Sequence, residues 1–362
     1  MKTQTNRVAY LDMLKCLGMF IVVQGHIHPD YGWFSLPIHS YVIPLYFLLS
    51  GLTFRREKFP TFGAFAAHRA KTLLLPYAMF SVLTWIFWAA YNTVLHNSVD
   101  LWGPLLQTLF AQGSGKFLVH NVPLWFIPCL FVIESMYYFI DKLSVRWNVL
   151  TCVICAFIGV WMITGPYSRI LTLLPWSIES AFTAIIFYCA GNVLTKYHSL
   201  KQIEDIIIAK KWLAIASIVI LTPILVYSAH WNGHISLGSD LLGRSPILFY
   251  VNAFVGIITI FLFSVLICNI KWENKIWKRI MDFHLFFGRN SFYIMATHVP
   301  VKGIIIVILA GLLHKSVVFV SYDYLCCALV FLATCAICSI LAILINKQKQ
   351  IDHQRVENWK NK

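Results

Sequence analysis

The chain has 362 residues, of which 59% are hydrophobic, 15% aromatic and only 12% charged, with a formal net charge of +14. Its apolar residues form blocks of around twenty, about the number needed to cross roughly 30 Å of hydrocarbon. An ordinary soluble domain has no need of such blocks. The composition therefore predicts an all-α polytopic membrane protein.

Ten predicted spans follow one another along the chain and form one helical bundle. The predicted spans cover residues 11–29, 38–54, 72–95, 122–141, 149–165, 178–195, 212–229, 246–268, 290–311 and 320–345. The first span carries Asp12 and Lys15 at its start and no small-residue cleavage site after it, which favours an uncleaved helix over a signal peptide. The apolar stretch Leu101–Phe110 is too short to cross a membrane, so we expect it at the interface or re-entering the bundle.

Basic residues predict the orientation, because Lys and Arg concentrate in cytoplasmic loops. Of the 29 Lys and Arg residues, 22 fall within 1–10, 55–71, 142–146, 196–211, 271–279 and 347–362, which are all on one side if the first residue is inside. We expect cytoplasmic N- and C-termini in the inner (cytoplasmic) cell membrane. Topology and attraction to anionic membrane lipids then explain the positive charge, so no nucleic acid partner is needed.

The expected organisation is one membrane domain, residues 8–345, followed by a short charged cytoplasmic tail, residues 346–362. Two pairs of cysteines have the CxxC spacing, Cys152 with Cys155 and Cys335 with Cys338, but both lie in apolar spans without nearby histidines. Cysteine often behaves as a small hydrophobic residue, and we expect no metal.

His26 carries the strongest functional signal, because it lies inside the apolar stretch Met13–Ile27. An ionisable group at membrane depth costs roughly 2.5 to 3.5 kcal/mol on insertion scales and usually faces a bundle interior or a polar cavity. Lys15 lies eleven positions earlier, or roughly 16 Å along one helix. Because this distance is about half the thickness of the hydrocarbon layer, we expect Lys15 at a membrane surface and His26 near the middle of the membrane.

A basic loop follows the second span and carries Arg55, Arg56, Arg69 and Lys71. The general excess of Lys and Arg in cytoplasmic loops could by itself explain these charges. Arg69, however, directly precedes an apolar run, so its planar guanidinium can reach back into the bundle and bind phosphate through two hydrogen bonds. The loop is therefore a candidate site for a phosphorylated cytosolic cofactor.

Further polar residues lie in or beside the apolar spans. Glu134 is near the middle of the fourth span, Glu179 begins the sixth, and Asn290 and His298 belong to the ninth. A buried carboxyl group needs a partner or a proton. A lone membrane histidine is more often structural than catalytic, but two histidines with a basic loop form a candidate site.

The chain resembles the membrane-bound acyltransferase 3 family, including its fucose 4-O-acetylase-like branch. The most specific similarity is Lys15, ten intervening residues and His26 in the first span. Weaker similarities follow in family order at Pro44–Gly51, Arg69, Leu75–Tyr77, Leu124–Phe126 and Gly288–His298. Lys15 stands where relatives can carry arginine, and Arg69 with Lys71 only partly reproduces the family's paired arginines.

The resemblance implies transfer of an acyl group, commonly acetyl from acetyl-CoA, to a carbohydrate hydroxyl. His26 is then expected to act as general base or to carry the acyl group as a nucleophile. Glu134 or His298 would relay protons, and Lys15 or Arg69 would stabilise negative charge. Arg55, Arg56, Arg69 and Lys71 would bind acyl-CoA, whereas Glu179 and Asn290 would bind the acceptor, a surface or lipid-linked glycan.

Two other classes of protein remain open from sequence. A proton-coupled secondary transporter would use His26, Glu134 and His298 as its intramembrane path, although no internal repeat is apparent. A receptor or scaffold without chemistry leaves His26 and Glu134 unexplained.

Overall fold

The computed structural model describes residues 8–28, 33, 35–94, 98–113 and 117–360. Within these residues the protein is helical apart from one short hairpin, which confirms the predicted fold class. The helices are α1 Ala9–Ile27, α2 Ser35–Leu52, α3 Phe62–Arg69, α4 Leu75–Val94, α5 Trp102–Gln107, α6 Phe126–Ile140, α7 Val145–Thr164, α8 Ser168–Leu171, α9 Ile178–Tyr197, α10 Leu200–Ala209, α11 Lys211–Asn232, α12 Pro246–Cys268, α13 Lys275–Arg289, α14 Ser291–Leu313, α15 Val317–Tyr322 and α16 Tyr324–Lys360. The antiparallel strands β1 (Ile235–Ser236) and β2 (Leu241–Leu242) form the hairpin.

Ten helical segments in the described part of the chain are long and apolar enough to cross a membrane. Nine of them begin and end within a few residues of the predicted spans. The third begins ten residues earlier than predicted, at Phe62, because α3 and α4 join through a π-helical turn, Ala70–Leu74. The last helix runs on to Lys360, so residues 346–360 continue the tenth span as one helix.

The alternating direction of the ten spans gives the bundle two ends. We call the end near Ala9, Leu52 and Ile140 the basic end, because the basic loop after α2 lies there. The opposite end, near Ile27, is the hairpin end, because the β1–β2 hairpin connects α11 to α12 there.

Helix α9 lies at the centre of the bundle and packs against α2, α6 and α7. Its crossing with α2 is very close, because Gly51 faces the carbonyl oxygen of Tyr188 and Gly191 faces that of Leu48. A Cβ atom at either glycine would lie within about 2 Å of those oxygens. Small residues that allow backbones to approach are typical of helix packing in membranes.

A second group of helices surrounds α1, which packs against α12, α13 and α14. Helix α13 is amphipathic and was not predicted from sequence. It crosses α1 so closely that Gly288 meets the backbone carbonyl of Asp12. These helices position the last turn of α1.

Candidate active site

His26 lies on the last turn of α1 and faces α14. Its ring centroid is 5.1 Å from that of His298, with the planes tilted by 48°. Lys302, one turn after His298 on α14, donates a hydrogen bond of 2.8 Å from Nζ to the backbone carbonyl of His26. The two predicted histidines are therefore neighbours, and Lys302, which the sequence analysis did not single out, contacts His26 as well.

His298 is completely buried. Its Nδ1 lies 3.0 Å from the carbonyl oxygen of Ile294, and a carbonyl can only accept, so Nδ1 carries the proton and Nε2 keeps a lone pair. No hydrogen-bond partner for Nε2 occurs among the described residues. His298 therefore presents a buried acceptor on the helix face that holds His26.

Two cavities meet at His26. The larger has a volume of about 280 Å³ and opens toward the hairpin end. Its walls come from α1, α2, α12, the hairpin and the segment before α6. They are Ile21, Val22, Gly25, His26, His39, Val42, Ile43, Pro44, Gly113, Val122, Trp125, His234, Ile235, Ser236, Leu237, Gly238, Ser239 and Phe249. The smaller, of about 60 Å³, has walls from Met19, Val22, His26, Ile43, Tyr46, Pro123, Trp125, Phe126 and Met295. His26 can thus be reached from two separate spaces.

The larger cavity has polar walls that the sequence analysis did not single out. His39 comes from α2, and His234 directly precedes β1, with their ring centroids 6.4 Å apart. Ser236 and Ser239 belong to the hairpin. His39 could have been found by the argument applied to His26, since it also lies within an apolar span.

The hairpin forms the outer wall of this cavity and is held in place from both sides. Ser180 on α9 donates to the carbonyl oxygen of Leu237 at 2.8 Å. Gly238 lies against the indole of Trp125, where a Cβ atom would come within 2.7 Å of the ring. Close backbone approach of this kind needs glycine.

Lys15 lies toward the basic end and not beside His26. The hydroxyl of Tyr46, a wall residue of the smaller cavity, donates to the backbone carbonyl of Lys15 at 2.8 Å. Lys15 lies roughly 16 Å from His26 along α1 and is not a wall residue of the smaller cavity.

Arg69 and Glu134 form a bidentate ion pair. Glu134 is buried with 1% of its side chain exposed, whereas 26% of the Arg69 side chain is exposed. Arg69 directly precedes the π-helical turn, and such turns are frequent at functional sites. Glu134 lies eight residues beyond Phe126 on α6, or about 12 Å nearer the basic end, and so pairs with Arg69 and not with the histidines.

The other predicted cofactor-binding residues lie at the basic end. Arg55 donates to backbone carbonyls at the end of α2 and to Thr195. Arg56 and Lys196 both pair with the buried Asp141, at 3.3 and 2.5 Å. Lys71 is exposed. Lys196 was not among the predicted cofactor-binding residues. It lies at the basic end because α9 ends beside α2.

Glu179 is fully buried at the start of α9, near the hairpin end. Gln112 donates to it at 3.2 Å, and Asp240 on the hairpin hydrogen-bonds to its carboxyl group. Burial and the adjacent Glu179 raise the pKa of Asp240 to about 8. The two carboxyl groups therefore share a proton at neutral pH behind the wall of the larger cavity.

Asn290 lies at the opposite end from Glu179. Its side chain donates to the carbonyl oxygen of Phe286 at 2.8 Å and accepts from Asn346 at 2.7 Å. It thereby links α13, α14 and α16. The structure does not bring the two predicted acceptor-binding residues together.

Ten apolar helices in the described part of the chain, together with a histidine that borders two cavities, define a membrane-embedded protein with an internal site. The family model described as an acyltransferase domain matches residues 8–345, most of the chain. The chain belongs to the acyltransferase 3 family of membrane acyltransferases, and so to the O-acyltransferase type of enzyme, which takes an acyl donor and an acceptor. No curated protein and no solved structure matches it.

Proposed function

We propose that this protein transfers an acetyl group from acetyl-CoA to a hydroxyl group of a cell-surface or lipid-linked carbohydrate. In this proposal His26 is the general base or a transient carrier of the acyl group. The family supports acyl transfer. The resemblance to its fucose 4-O-acetylase-like branch supports a sugar as acceptor.

The position of His26 between two cavities is the observation that carries the proposal. A thioester that reaches the smaller cavity and an alcohol in the larger one would both contact the same imidazole. Burial in a low-dielectric site disfavours the charged imidazolium, and a neutral ring is the form that accepts a proton. General bases of this kind contribute typically 10²- to 10⁴-fold to a rate.

The chemical step balances without any further reactant. His26 takes the hydroxyl proton as the hydroxyl oxygen attacks the thioester carbonyl carbon, and the C–S bond then breaks. The departing thiolate receives the proton from His26, which returns to its neutral form. In the alternative route a ring nitrogen of His26 attacks the thioester carbonyl carbon, the C–S bond breaks, and the departing thiolate takes up the ring proton. The acceptor hydroxyl then attacks the acyl carbon, the N–C bond breaks, and the hydroxyl proton returns to the ring.

The volume of the smaller cavity supports a short acyl group. About 60 Å³ accommodates a few water molecules, at 10 to 15 Å³ each on this measure. An acetyl group fits such a space, whereas a long acyl chain does not.

The basic end is the proposed site for the nucleotide of acetyl-CoA. Arg55, Arg56 and Lys71 supply cations there, and Lys196 adds another beside Arg56. The Arg69 guanidinium has five N–H donors, of which Glu134 uses two, so the ion pair leaves donors for a phosphate. The count of basic residues supports placing this end in the cytoplasm, with the protein in the cytoplasmic membrane.

The larger cavity is the proposed site for the acceptor. His39, His234, Ser236 and Ser239 offer hydrogen bonds to sugar hydroxyls, and Trp125 offers an aromatic surface. Glu179 acts indirectly in this proposal, because with Asp240 it supports the hairpin wall. The position of Asn290 at the basic end supports a structural role for it instead.

The deciding experiment measures turnover of radiolabelled acetyl-CoA by protein purified in detergent, with and without a glycan acceptor. His26→Ala should lose at least 100-fold in kcat while keeping its thermal stability, and His314→Ala, an exposed histidine, should behave as wild type. Wild-type turnover in His26→Ala would refute the proposal. Rapid-mixing kinetics distinguish the two routes, since a burst of free CoA thiol that His26→Ala lacks is expected only if His26 carries the acyl group.

A further inference from the structure

Lys302 is a charged residue at membrane depth that the proposed reaction has not yet used. It lies in the middle of α14 and is only partly exposed. No carboxylate among the described residues pairs with it, and its one hydrogen bond goes to the backbone carbonyl of His26 at 2.8 Å. Ionisable residues inside membrane spans are costly and mark functional sites, so this lysine requires an explanation.

The hydrogen bond from Lys302 lies at the C-terminal end of α1. The last four carbonyl groups of an α-helix have no partner within the helix, and His26 is the second-last residue of α1. A cation at a helix C-terminus is also stabilised by the helix dipole. Lys302 therefore satisfies an otherwise unpaired carbonyl on the residue that carries the proposed base.

His298 and Lys302 lie one turn apart on α14 and share a face. His298 packs beside the His26 ring, whereas Lys302 holds the His26 backbone. Both the ring and the backbone of His26 are thus set by the same short segment of α14. Catalytic bases are commonly oriented by a third group in this way.

We propose that Lys302 is a positioning residue for His26, an inference that rests on the proposed function. Its hydrogen bond fixes the last turn of α1 between the two cavities. Its positive charge opposes a second charge on the imidazole, so that a proton taken from the acceptor passes on to the departing thiolate. Lys302 touches neither substrate, because it lines neither cavity.

The test compares Lys302→Met, which keeps the length of the side chain without charge or donor, with Lys302→Arg, which keeps both. Lys302→Met should lose about 10- to 100-fold in kcat, the range expected for a hydrogen bond from a charged group. The KM values for acetyl-CoA and for the glycan should stay within about twofold, since binding is not affected. Lys302→Arg should recover most of the activity, and Lys315→Met, at an exposed lysine, should match wild type.

Three results would overturn the inference. One is wild-type kcat in Lys302→Met, and another is a rise in either KM that accounts for the loss, which would make Lys302 a binding residue. The third is a kcat in Lys302→Arg as low as that of Lys302→Met, when both variants are correctly folded. His26→Ala is measured alongside: if it is fully active, the proposed function itself fails, whereas an inactive His26→Ala with an active Lys302→Met refutes only the role of Lys302.

Discussion

Arg69 and Glu134 are 65 residues apart in sequence and form a bidentate ion pair that joins the third span to the fourth. The pair is buried on the glutamate side and partly open on the arginine side. It fixes the position at which the basic loop enters the bundle.

Removing one partner of this pair should destabilise the fold more than removing both. Glu134→Ala leaves the Arg69 charge without its carboxylate, and breaking a buried pair costs about 3 kcal/mol or more. Thermal unfolding in detergent should show a clear fall in Tm for Glu134→Ala. The double variant Glu134→Ala, Arg69→Met should be less destabilised than Glu134→Ala alone, and a loss equal to the sum of the two single losses would contradict the coupling.

The hairpin wall should control the acceptor and not the donor. Ser236→Trp places a large ring in the 280 Å³ cavity and should raise the KM for the glycan at least tenfold. Hydrolysis of acetyl-CoA without acceptor should stay near wild type. Leu241→Trp is the matched control, because Leu241 lies on the same hairpin, is exposed and does not line the cavity. Equal effects of the two variants would place the acceptor elsewhere.

Charge removal at the basic end should weaken donor binding. Arg55→Gln should raise the KM for acetyl-CoA about three- to tenfold with little change in kcat, because an exposed cation contributes only modestly. Added salt should narrow the difference between variant and wild type. Lys210→Gln removes a charge at the same end outside the proposed site and serves as control. A fall in kcat at saturating acetyl-CoA would indicate a structural role for Arg55.

The carboxyl pair of Glu179 and Asp240 should make stability depend on pH. Folding raises the pKa of Asp240 from an ordinary value of 3.8 to about 8, so the folded protein binds more protons than the unfolded chain between these values. The stabilisation is therefore complete below about pH 4 and is lost as pH rises to about 8. The fall in Tm from pH 5 to pH 8 should be smaller in Asp240→Asn than in wild type.

The opposite trend comes from His120 and serves as an internal comparison. Burial lowers the pKa of this imidazole to about 4, so its contribution to stability is lost as pH falls from about 6.5 toward 4. Between about pH 4 and 6.5 the two contributions oppose each other in the wild type, so Asp240→Asn should lose stability more steeply than the wild type as pH falls through this range. An identical pH profile for variant and wild type across pH 5 to 8 would refute the shared proton.

The spans could be predicted from sequence because a membrane demands long apolar helices whatever their neighbours are. The π-helical turn after Arg69 shows the limit, since nothing local in Ala70–Leu74 distinguishes it from an α-helix. Helix α13 was missed although its apolar residues recur at helical spacing, at Ile276, Ile280, Phe283 and Phe287. That periodicity was a readable signal, hidden by the basic residues between them.

Individual residues of the candidate site could be predicted from sequence, but the contacts between them could not. His26 and His298 were identifiable because each is polar within an apolar span, but their contact depends on how α1 packs against α14. Lys302 was not singled out from sequence, and its contact with the His26 backbone depends on the same packing. Arg69 pairs with Glu134, and His234 lines the larger cavity, through contacts between segments that are distant in the chain. One sequence does not reveal such contacts.

The narrowness of the space below His26 has a consequence for the proposed reaction. The cavity on the Tyr46 side of His26, of about 60 Å³, has room for only a few water molecules and is much smaller than the 280 Å³ cavity on the other side. In the proposed reaction this space would admit an acetyl group and would be too small for a sugar or a nucleotide. The proposed reaction would then pass only the acetyl group from the basic end to the hairpin end, with both larger substrates held at their own ends.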